Sequence, residues 1–408
     1  MLAAGCTTAC AQANETYSPG IASLQVVAGG RWMSLPVIRL GGDGPEDRVN
    51  ISFDELTHAY RRYTYSIEHC EADWTASEQI FTSDYIEGFG QGNTIGQGEE
   101  SVNTDTLYTH YRMTIPNAEC SLKMSGNYRV TVYDEDDGHR PVLTACFMVT
   151  EAAASVGLNV TANTDIDTNK SHQQVEMSVN YGALSVTNPT EQIKTVVMQN
   201  RRWDNARVNV RPQYVTADGL RWEHCRDLIF EAGNEYRKYE ILDVAYPTMG
   251  VDRMVWDGAD YHAWLYPSEP RPTYVYDEDA NGAFYIRNGD NVENDIASEY
   301  IYVHFTLPAS ERFDGEVYVD GAWTGGRFLP ECRMRYDEAR GLYTATVMQK
   351  QGYYSYQYVL VDTDGASRTV PTEGSYYQTE NKYQALVYYR ERGGRTDRLV
   401  GYAETEYE

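Results

Sequence analysis

The chain has 408 residues, enough for two or three domains, and its composition of 42% hydrophobic and 23% charged residues is typical of a folded globular protein. Acidic residues outnumber basic ones by 60 to 34, and the formal net charge of −26 argues against binding to a phosphate backbone. No run of about 18 or more apolar residues occurs, so we expect no transmembrane helix. Membrane contact is therefore expected only through a partner or a lipid anchor.

The first residues, MLAAGCTTACAQANETY, contain the small-residue end of an export signal. The stretch ACAQA is typical of a signal-peptidase site and predicts cleavage after Ala13, so we interpret residues 1–13 as the remnant of that signal. The stretch LAAGC resembles a lipobox and makes Cys6 a candidate for lipidation. Both interpretations predict an exported protein.

Five cysteines would remain after this cleavage, and no CxxC motif occurs among them. An odd number of cysteines in so long a chain argues against a disulfide framework. A single bridge among Cys70, Cys120 and Cys146 stays open, and we otherwise expect isolated buried cysteines.

Short segments with alternating apolar and polar residues, bounded by Gly, Asn, Asp or Pro, follow one another along the chain and predict β-strands. They include YRRYTYSIEHC, GNYRVTVYDEDDG, RPVLTACFMVTE, HQQVEMSVNYG, QIKTVVMQN, EYIYVHFTL, GLYTATVMQ and YYSYQYVLVD. The predicted fold is all-β, with tandem antiparallel β-sandwich (immunoglobulin-like) domains. The acidic residues 134–137 between two of these segments predict a hairpin turn in preference to a cation site.

Two linker-like stretches suggest the domain boundaries. Residues 150–157, TEAAASVG, are small and poor in apolar side chains, and residues 266–300 carry three prolines and many acidic residues. We therefore predict a first sandwich at 14–152, a second at 153–296 and a third at 297–408. The 35 tyrosines are interpreted mainly as residues of strand surfaces, because a tyrosine ring is apolar and its hydroxyl is polar.

Sequence signatures of catalysis are absent. None of the eight histidines stands in an HExxH or HxH arrangement, and neither a GxSxG motif nor a glycine-rich phosphate loop with its lysine occurs. We predict no enzyme activity, no cofactor, and no catalytic, metal-binding or cofactor-binding residues. A glycosidase or another hydrolase stays an alternative, because a sequence does not show the distance between two carboxylates.

The C-terminal third resembles the early-set β-sandwiches related to glycogen-binding modules. The resemblance lies in GEVYVDGAWTGG and the later strand YYSYQYVLVD. Trp323 could stack on a sugar ring or cap the core of the sandwich. The first possibility supports an alternative function, a carbohydrate-binding surface or periplasmic lipoprotein.

Several phrases, spread over about residues 24–390, are similar in order and spacing to the plug proteins of the type IX secretion system of Bacteroidetes. They are YSIEHCEADWTASE, YIEGFGQG, SVNTDTLYTHYRMTIPN, LKMSGNYRVTVYD, HQQVEMSVN, VVMQNRRWDNA and FEAGNEYRKYE. The resemblance implies a non-enzymatic β-sandwich protein in the periplasm, at the inner side of the outer membrane. It also implies a partner, the giant outer-membrane β-barrel translocon, whose periplasmic opening such a protein closes.

The resemblance further points to positions that recur in the family, which are expected to be mostly structural. In this chain they are His69, Cys70, Trp74, Ser125, Gly126, Asn127, Tyr128, Gln199, Asn200, Trp203, Asn234 and Arg237.

Overall fold

The computed structural model describes residues 14–407, and within that range no helix combines the length and apolar character needed to cross a membrane. The predicted all-β fold with tandem sandwiches is confirmed: pairs of sheets, almost entirely antiparallel, enclose separate hydrophobic cores. The expected cleavage after Ala13 and lipidation of Cys6 concern residues that lie outside the described range.

The first sandwich is built from twelve strands. They are β1 (Glu15–Thr16), β2 (Ile21–Ala28), β3 (Val37–Arg39), β4 (Val49–Glu55), β5 (Tyr63–Cys70), β6 (Ile86–Gly88), β7 (Asn93–Thr94), β8 (Glu99–Glu100), β9 (Thr109–Ile115), β10 (Cys120–Leu122), β11 (Gly126–Asp134) and β12 (Arg140–Thr150). One sheet has the order β1-β12-β11-β5-β7, with β3 parallel to β12, and the other has the order β2-β4-β9-β8. Strands β11 and β12 form an antiparallel hairpin, which confirms the turn predicted at the acidic segment.

The alternation of buried and partly exposed side chains along the strands explains how this sandwich forms its core. Along β11 the side chains of Tyr128, Val130 and Val132 are fully buried, while the residues between them are partly exposed. Because successive side chains of a strand point to opposite faces, one apolar face is enough to anchor the sheet on its partner.

The second sandwich begins after a change of sheet between Thr150 and Ser155. Its first strands are β13 (Ser155–Thr161), β14 (His172–Asn180), β15 (Ile193–Gln199), β16 (Arg207–Val208), β17 (Tyr214–Val215), β18 (Gly219–Trp222) and β19 (Ile229–Glu231). Strands β13-β14-β18-β17, with β19 also paired to β14, make one complete sheet. Strands β15 and β16 are half of the other.

The third sandwich follows before the second is complete. Its strands are β20 (Arg237–Ile241), β21 (Val251–Trp256), β22 (Tyr261–Leu265), β23 (Phe284–Ile286), β24 (Tyr300–Pro308), β25 (Glu316–Asp320), β26 (Arg335–Asp337), β27 (Leu342–Lys350), β28 (Gly352–Val361) and β29 (Ser367–Thr369). One sheet is centred on β28, which pairs with β20, β23, β25 and β29. The other has the order β21-β22-β24-β27-β26, in which β22 and β24 run parallel.

The last two strands return to the second sandwich. Strands β30 (Asn381–Tyr389) and β31 (Arg398–Tyr407) extend its incomplete sheet to the order β16-β15-β30-β31. The pairing therefore differs from the expected ranges 153–296 and 297–408: β20, β21 and β22 belong to the third sandwich and β30 and β31 to the second. Strand alternation is a local pattern and carries no information about a partner strand almost 200 residues away, as for Ile193 and Tyr389.

Helices are short and lie in the connections. They are α1 (Thr82–Tyr85), α2 (Pro189–Gln192) and α3 (Asn294–Ala297), with 3-10 turns at Pro45–Asp47, Arg226–Leu228, Ala322–Thr324, Pro330–Cys332 and Pro371–Glu373.

Many tyrosines lie in the hydrophobic cores, although the sequence analysis interpreted them mainly as residues of strand surfaces. Those that are less than 2% exposed are Tyr63, Tyr108, Tyr128, Tyr239, Tyr358, Tyr383, Tyr388 and Tyr389. Their hydroxyls reach acceptors, as Tyr63 does at 2.6 Å from Glu55 Oε2 and Tyr128 at 2.7 Å from the Met124 carbonyl. The assignment of tyrosine to strand surfaces is therefore wrong for these positions, because a satisfied hydroxyl removes the cost of burial. All five cysteines of the described chain are buried thiols.

Candidate functional site at the junctions between the sandwiches

The three sandwiches meet in pairs, and each junction contains a carboxylate that is removed from solvent. The residues are Asp54, Asp397 and Glu373, which are 0%, 1% and 2% exposed. A buried carboxylate is tolerated only where cations and hydrogen-bond donors compensate for its lost hydration. The donors come from different sandwiches or from the segments that connect them, so each carboxylate joins two parts of the molecule.

Asp54 joins the first sandwich to the third. It lies on β4, and its Oδ2 accepts hydrogen bonds of 2.6 Å from Lys350 Nζ, at the end of β27, and from the Tyr300 hydroxyl on β24. Its Oδ1 is 2.7 Å from His110 Nδ1 on the neighbouring strand β9. The Lys350 ammonium also lies 4.0 Å from the centre of the Tyr108 ring. Burial lowers the pKa of Lys350, and the charge of Asp54 opposes that shift.

Asp397 joins the second sandwich to the first. Lys194 Nζ on β15 and Arg390 Nε contact its two oxygens at 2.7 Å and 2.9 Å, and the Ala72 backbone N–H donates to it from the first sandwich at 3.1 Å. Glu71 of the first sandwich completes the network by accepting from Arg390 Nη2 and from the Asp397 N–H. Burial raises the pKa of Asp397, but Lys194 and the other donors together hold this pKa below its ordinary value.

Glu373 holds the two segments that cross between the second and third sandwiches. Arg237, at the start of β20, donates from Nε at 2.8 Å, and Arg271 donates from Nε at 2.5 Å to the other carboxylate oxygen. The Asn234 side-chain amide, in the outgoing segment, donates at 2.7 Å to the Glu373 carbonyl in the returning segment. The outgoing and returning chains are therefore fixed to each other.

The family positions of the first sandwich gather beside the Asp397 junction. His69 is 1% exposed, with Nδ1 at 2.9 Å from Ser77 Oγ and Nε2 at 3.1 Å from the Ser125 carbonyl, and burial lowers its pKa. The Asn127 side-chain amide donates to the Glu71 carbonyl at 2.8 Å, and the hydroxyl of Tyr388, on β30, donates to Asn127 Oδ1 at 2.8 Å. Asn127 thus bridges the two sandwiches.

A hydrophobic cluster surrounds these polar bridges. Trp74 of the first sandwich packs edge-on against Trp203 of the second, with ring centres 5.8 Å apart. Cys70 belongs to the same cluster, which also contains strand residues from both sandwiches such as Met148 and Met198. Tyr128 points away from this cluster, into the core of the first sandwich. There its ring stacks on Phe147 and its hydroxyl donates to the Met124 carbonyl.

The remaining family positions line the junction of the second and third sandwiches. Gln199 donates from Nε2 at 3.0 Å to the Tyr383 hydroxyl and to the Glu231 carbonyl. The Asn200 side-chain amide donates to Asn381 Oδ1 at 2.7 Å, and its Oδ1 accepts from the Lys382 N–H at 2.8 Å. Asn234 and Arg237 contact Glu373, as described above.

Comparison with known proteins assigns the first sandwich to a family. Residues 21–151, which span the first sandwich from β2 to the end of β12, match the family described as "Type 9 secretion system plug protein 1st domain". The first sandwich is a domain of the type 9 secretion system plug protein family. Its membership connects the protein with type 9 secretion and with the cell envelope.

A solved structure matches almost the whole chain. A hypothetical protein from Parabacteroides merdae is 39% identical over 97% of this chain and 100% of that one, with a TM-score of 0.93. The partial N-terminal region of an enterococcal surface protein (8% identity, 97% of this chain, 95% of that one) and a collagen adhesin from S. aureus (8%, 97% and 95%) reach TM-scores of only 0.19 and 0.10. No curated protein matches the chain.

Replacing Gly126 by alanine tests one family position of the first sandwich. Gly126 has φ +143°, and a Cβ atom there would lie 2.3 Å from His69 Nε2. We expect G126A to lower the free energy of unfolding by about 2 kcal/mol or more, because the strained backbone and the clash with a buried ring add. Urea unfolding measures the loss.

The matched control for this substitution is G138A at the hairpin tip. Gly138 also has a positive φ of +67°, but a Cβ there meets nothing within 4 Å. Its cost should be about 1 kcal/mol, the backbone penalty alone. Equal losses in the two variants would show that contact with His69 is not what requires glycine at 126.

Trp323 lies at the edge of the third core. Its indole is partly buried, packs edge-on against Tyr354 with ring centres 5.5 Å apart, and covers Gly321. Its stacking on a sugar ring stays a prediction.

Sequence reasoning missed the charged groups that join the sandwiches. Asp54 and Lys350 are separated by 296 residues, and Ala72 and Asp397 by 325. Neither pair stands in a motif with a fixed spacing, and with 60 acidic residues in the chain no single one is distinguished. Only Arg237 and Asn234 could be linked to a junction from the sequence, because the family resemblance pointed to both positions. It did not point to Glu373, the residue that both of them contact.

The polar contacts at the junctions hold the sandwiches in place against one another. Each buried carboxylate has two or more donors, and the described residues include no group of three or more His, Cys, Asp or Glu side chains placed to hold a metal ion. Saturated ion pairs between sandwiches hold them at a defined distance and angle.

Proposed function

We propose that this protein is a non-enzymatic periplasmic plug that binds the periplasmic opening of the giant outer-membrane β-barrel translocon of type IX secretion and closes it. The observation that carries the proposal is the match of residues 21–151 to the first domain of type 9 secretion plug proteins. A plug acts by occupying space, so its activity depends on shape and on a surface complementary to the barrel.

The junctions support this proposal physically. A body that closes a wide aqueous opening has to keep its shape, and three sandwiches on flexible linkers would not. Here Asp54, Asp397 and Glu373 fix the sandwiches in pairs, and the return of β30 and β31 to the second sandwich removes a free C-terminal module. These contacts make the three sandwiches one connected unit.

The surface that we assign to the barrel contact is the aromatic end of the first sandwich, defined as the exposed side chains of Phe81 and Phe89. Phe81 and Phe89 are 74% and 69% exposed, although the domain has a complete core. A Cβ on Gly90 would lie 2.3 Å from Thr82 Cγ2. The residue that follows Phe89 therefore packs against the residue that follows Phe81. Exposed aromatic residues in the family-matched domain favour protein–protein contact.

The direct test is an affinity purification of the tagged protein from detergent-solubilised envelopes. We expect a very large outer-membrane barrel to co-purify with the wild type, and the variant F81S/F89S to recover at least about tenfold less of it, as for interface hot spots. The matched control is Y246S/Y276S, which removes two exposed aromatics from the connections of the third sandwich. Equal recovery in both variants would remove the aromatic end as the contact.

Closure itself needs a separate measurement. Deletion of the protein should make the outer membrane permeable to small hydrophilic solutes, and the wild-type gene should restore the barrier. Unchanged permeability, together with the absence of a co-purified barrel, would contradict the plug proposal as a whole.

A further inference from the structure

A polar cavity lies at the junction of the second and third sandwiches. Its volume is about 220 Å³, enough for a compact ion or small molecule. The second sandwich contributes Arg207 and Phe230 to its lining, and the third contributes Gln357 and Arg368. No residue in it belongs to the first sandwich, where we place the contact with the barrel.

Basic groups are concentrated at this cavity, although the chain as a whole has a net charge of −26. Arg202, Arg207 and Arg368 line it, with Glu231 as the one carboxylate among the lining residues. Arg202 Nε donates a hydrogen bond of 3.0 Å to Asp204 Oδ1, so the charge of Arg202 is already neutralised. Within residues 14–407, no ion pair joins Arg207 or Arg368 to a carboxylate.

Two buried polar atoms of the lining have no hydrogen-bond partner within the described chain. They are Arg207 Nε, a donor, and Asn205 Oδ1, an acceptor. The guanidinium of Arg207 is held in place by the Ile229 carbonyl at 3.3 Å from Nη2 and by the ring of Phe230 at 5.0 Å. A positioned guanidinium that has no carboxylate partner offers the fork of N–H donors that binds an oxyanion.

Buried side-chain amides complete the lining. Gln199, Asn200, Asn234 and Asn381 are all less than 9% exposed, and their hydrogen bonds to one another and to backbone groups fix the wall. We propose that this cavity is a binding site for a compact oxyanion, either free phosphate or the phosphate or carboxylate group of a larger ligand.

The test uses isothermal titration calorimetry of the full chain with inorganic phosphate, sulfate and acetate at constant ionic strength. We expect saturable binding of phosphate at one site per chain. R207K should weaken it about tenfold, because lysine keeps the charge and loses the Nε–H and the planar fork. R368Q should weaken it several-fold, and since Arg368 is exposed this variant tests the site even where R207K disturbs folding.

The control is R221Q, which removes an exposed arginine on strand β18 of the second sandwich. Arg221 pairs with Glu223, and its replacement should leave the affinity for phosphate unchanged. Preference for phosphate or sulfate over acetate would assign the ligand to tetrahedral oxyanions, and equal or tighter binding of acetate would assign it to carboxylates. Lack of saturable binding by all three anions at millimolar concentration would overturn the proposal, as would an equal effect of R221Q and R207K. The measurement needs no barrel, so its outcome is independent of the proposed plug function.

Discussion

Replacing Lys350 by methionine is expected to lower the free energy of unfolding by about 3 kcal/mol or more. Methionine fills a similar volume, but it leaves the carboxylate of Asp54, which is 0% exposed, without its cation. Removing one partner of a buried ion pair usually costs about 3–5 kcal/mol, and His110 and Tyr300, which still contact Asp54, keep the loss toward the lower end. Urea unfolding at pH 7 measures it.

The matched control is K382M, which removes a lysine whose ion pair with Glu406 is 3.8 Å long and lies near the surface. That substitution should cost about 1 kcal/mol or less. The double variant D54N/K350M should recover part of the loss, because a neutral amide is less costly to bury than an unpaired carboxylate. If K350M costs no more than K382M, the buried pair does not hold the first and third sandwiches together.

Replacing Asp397 by asparagine is expected to cost about 3–5 kcal/mol, because Lys194 and Arg390 lose their common counter-charge at the junction of the first and second sandwiches. The loss should also alter the environment of Trp74 and Trp203, which pack against each other across the same junction. Urea unfolding followed by tryptophan fluorescence reports both effects. D252N, at an exposed position, is the control and should change neither.

The effect of D397N should depend on pH in a defined direction. The pKa of Asp397 is lowered in the folded protein relative to about 3.9 for an unfolded aspartate, so the folded state binds this proton more weakly. The stabilisation is therefore fully present above about pH 4 and is lost as pH falls through the folded pKa. The difference in stability between the wild type and D397N should shrink below about pH 4, and a constant difference would contradict the assignment.

Strand patterns predicted the elements well and their partners less well. The hairpin of β11 and β12 was predictable because its two strands and its Asp-Gly turn lie within 25 residues of one another. The sheet formed by β15 and β30 was not, because Gln199 and Tyr383 pair across 184 residues and alternation looks the same whichever partner is used. Domain boundaries placed at linkers assume that each sandwich is formed by one continuous segment, whereas β30 and β31 complete the second sandwich after the third.

The family positions illustrate the same limit for the site. The family resemblance pointed to Asn127, Gln199 and Asn200 as mostly structural positions, but it did not reveal their partners Tyr388, Tyr383 and Asn381 on the returning strand β30. Two of these partners are tyrosine hydroxyls and the third is the side-chain oxygen of Asn381.

The sequence by itself determined the all-β class, the position of most strands and the relation to plug proteins, since alternation, turn residues and ordered phrases are all local properties. Tertiary structure alone decided which sheets close which sandwich, which carboxylates are buried, and where uncompensated arginines meet around a cavity. The physical reason is that hydration and charge compensation depend on distance in space, and folding brings Asp54 to Lys350 and Ala72 to Asp397 across most of the chain.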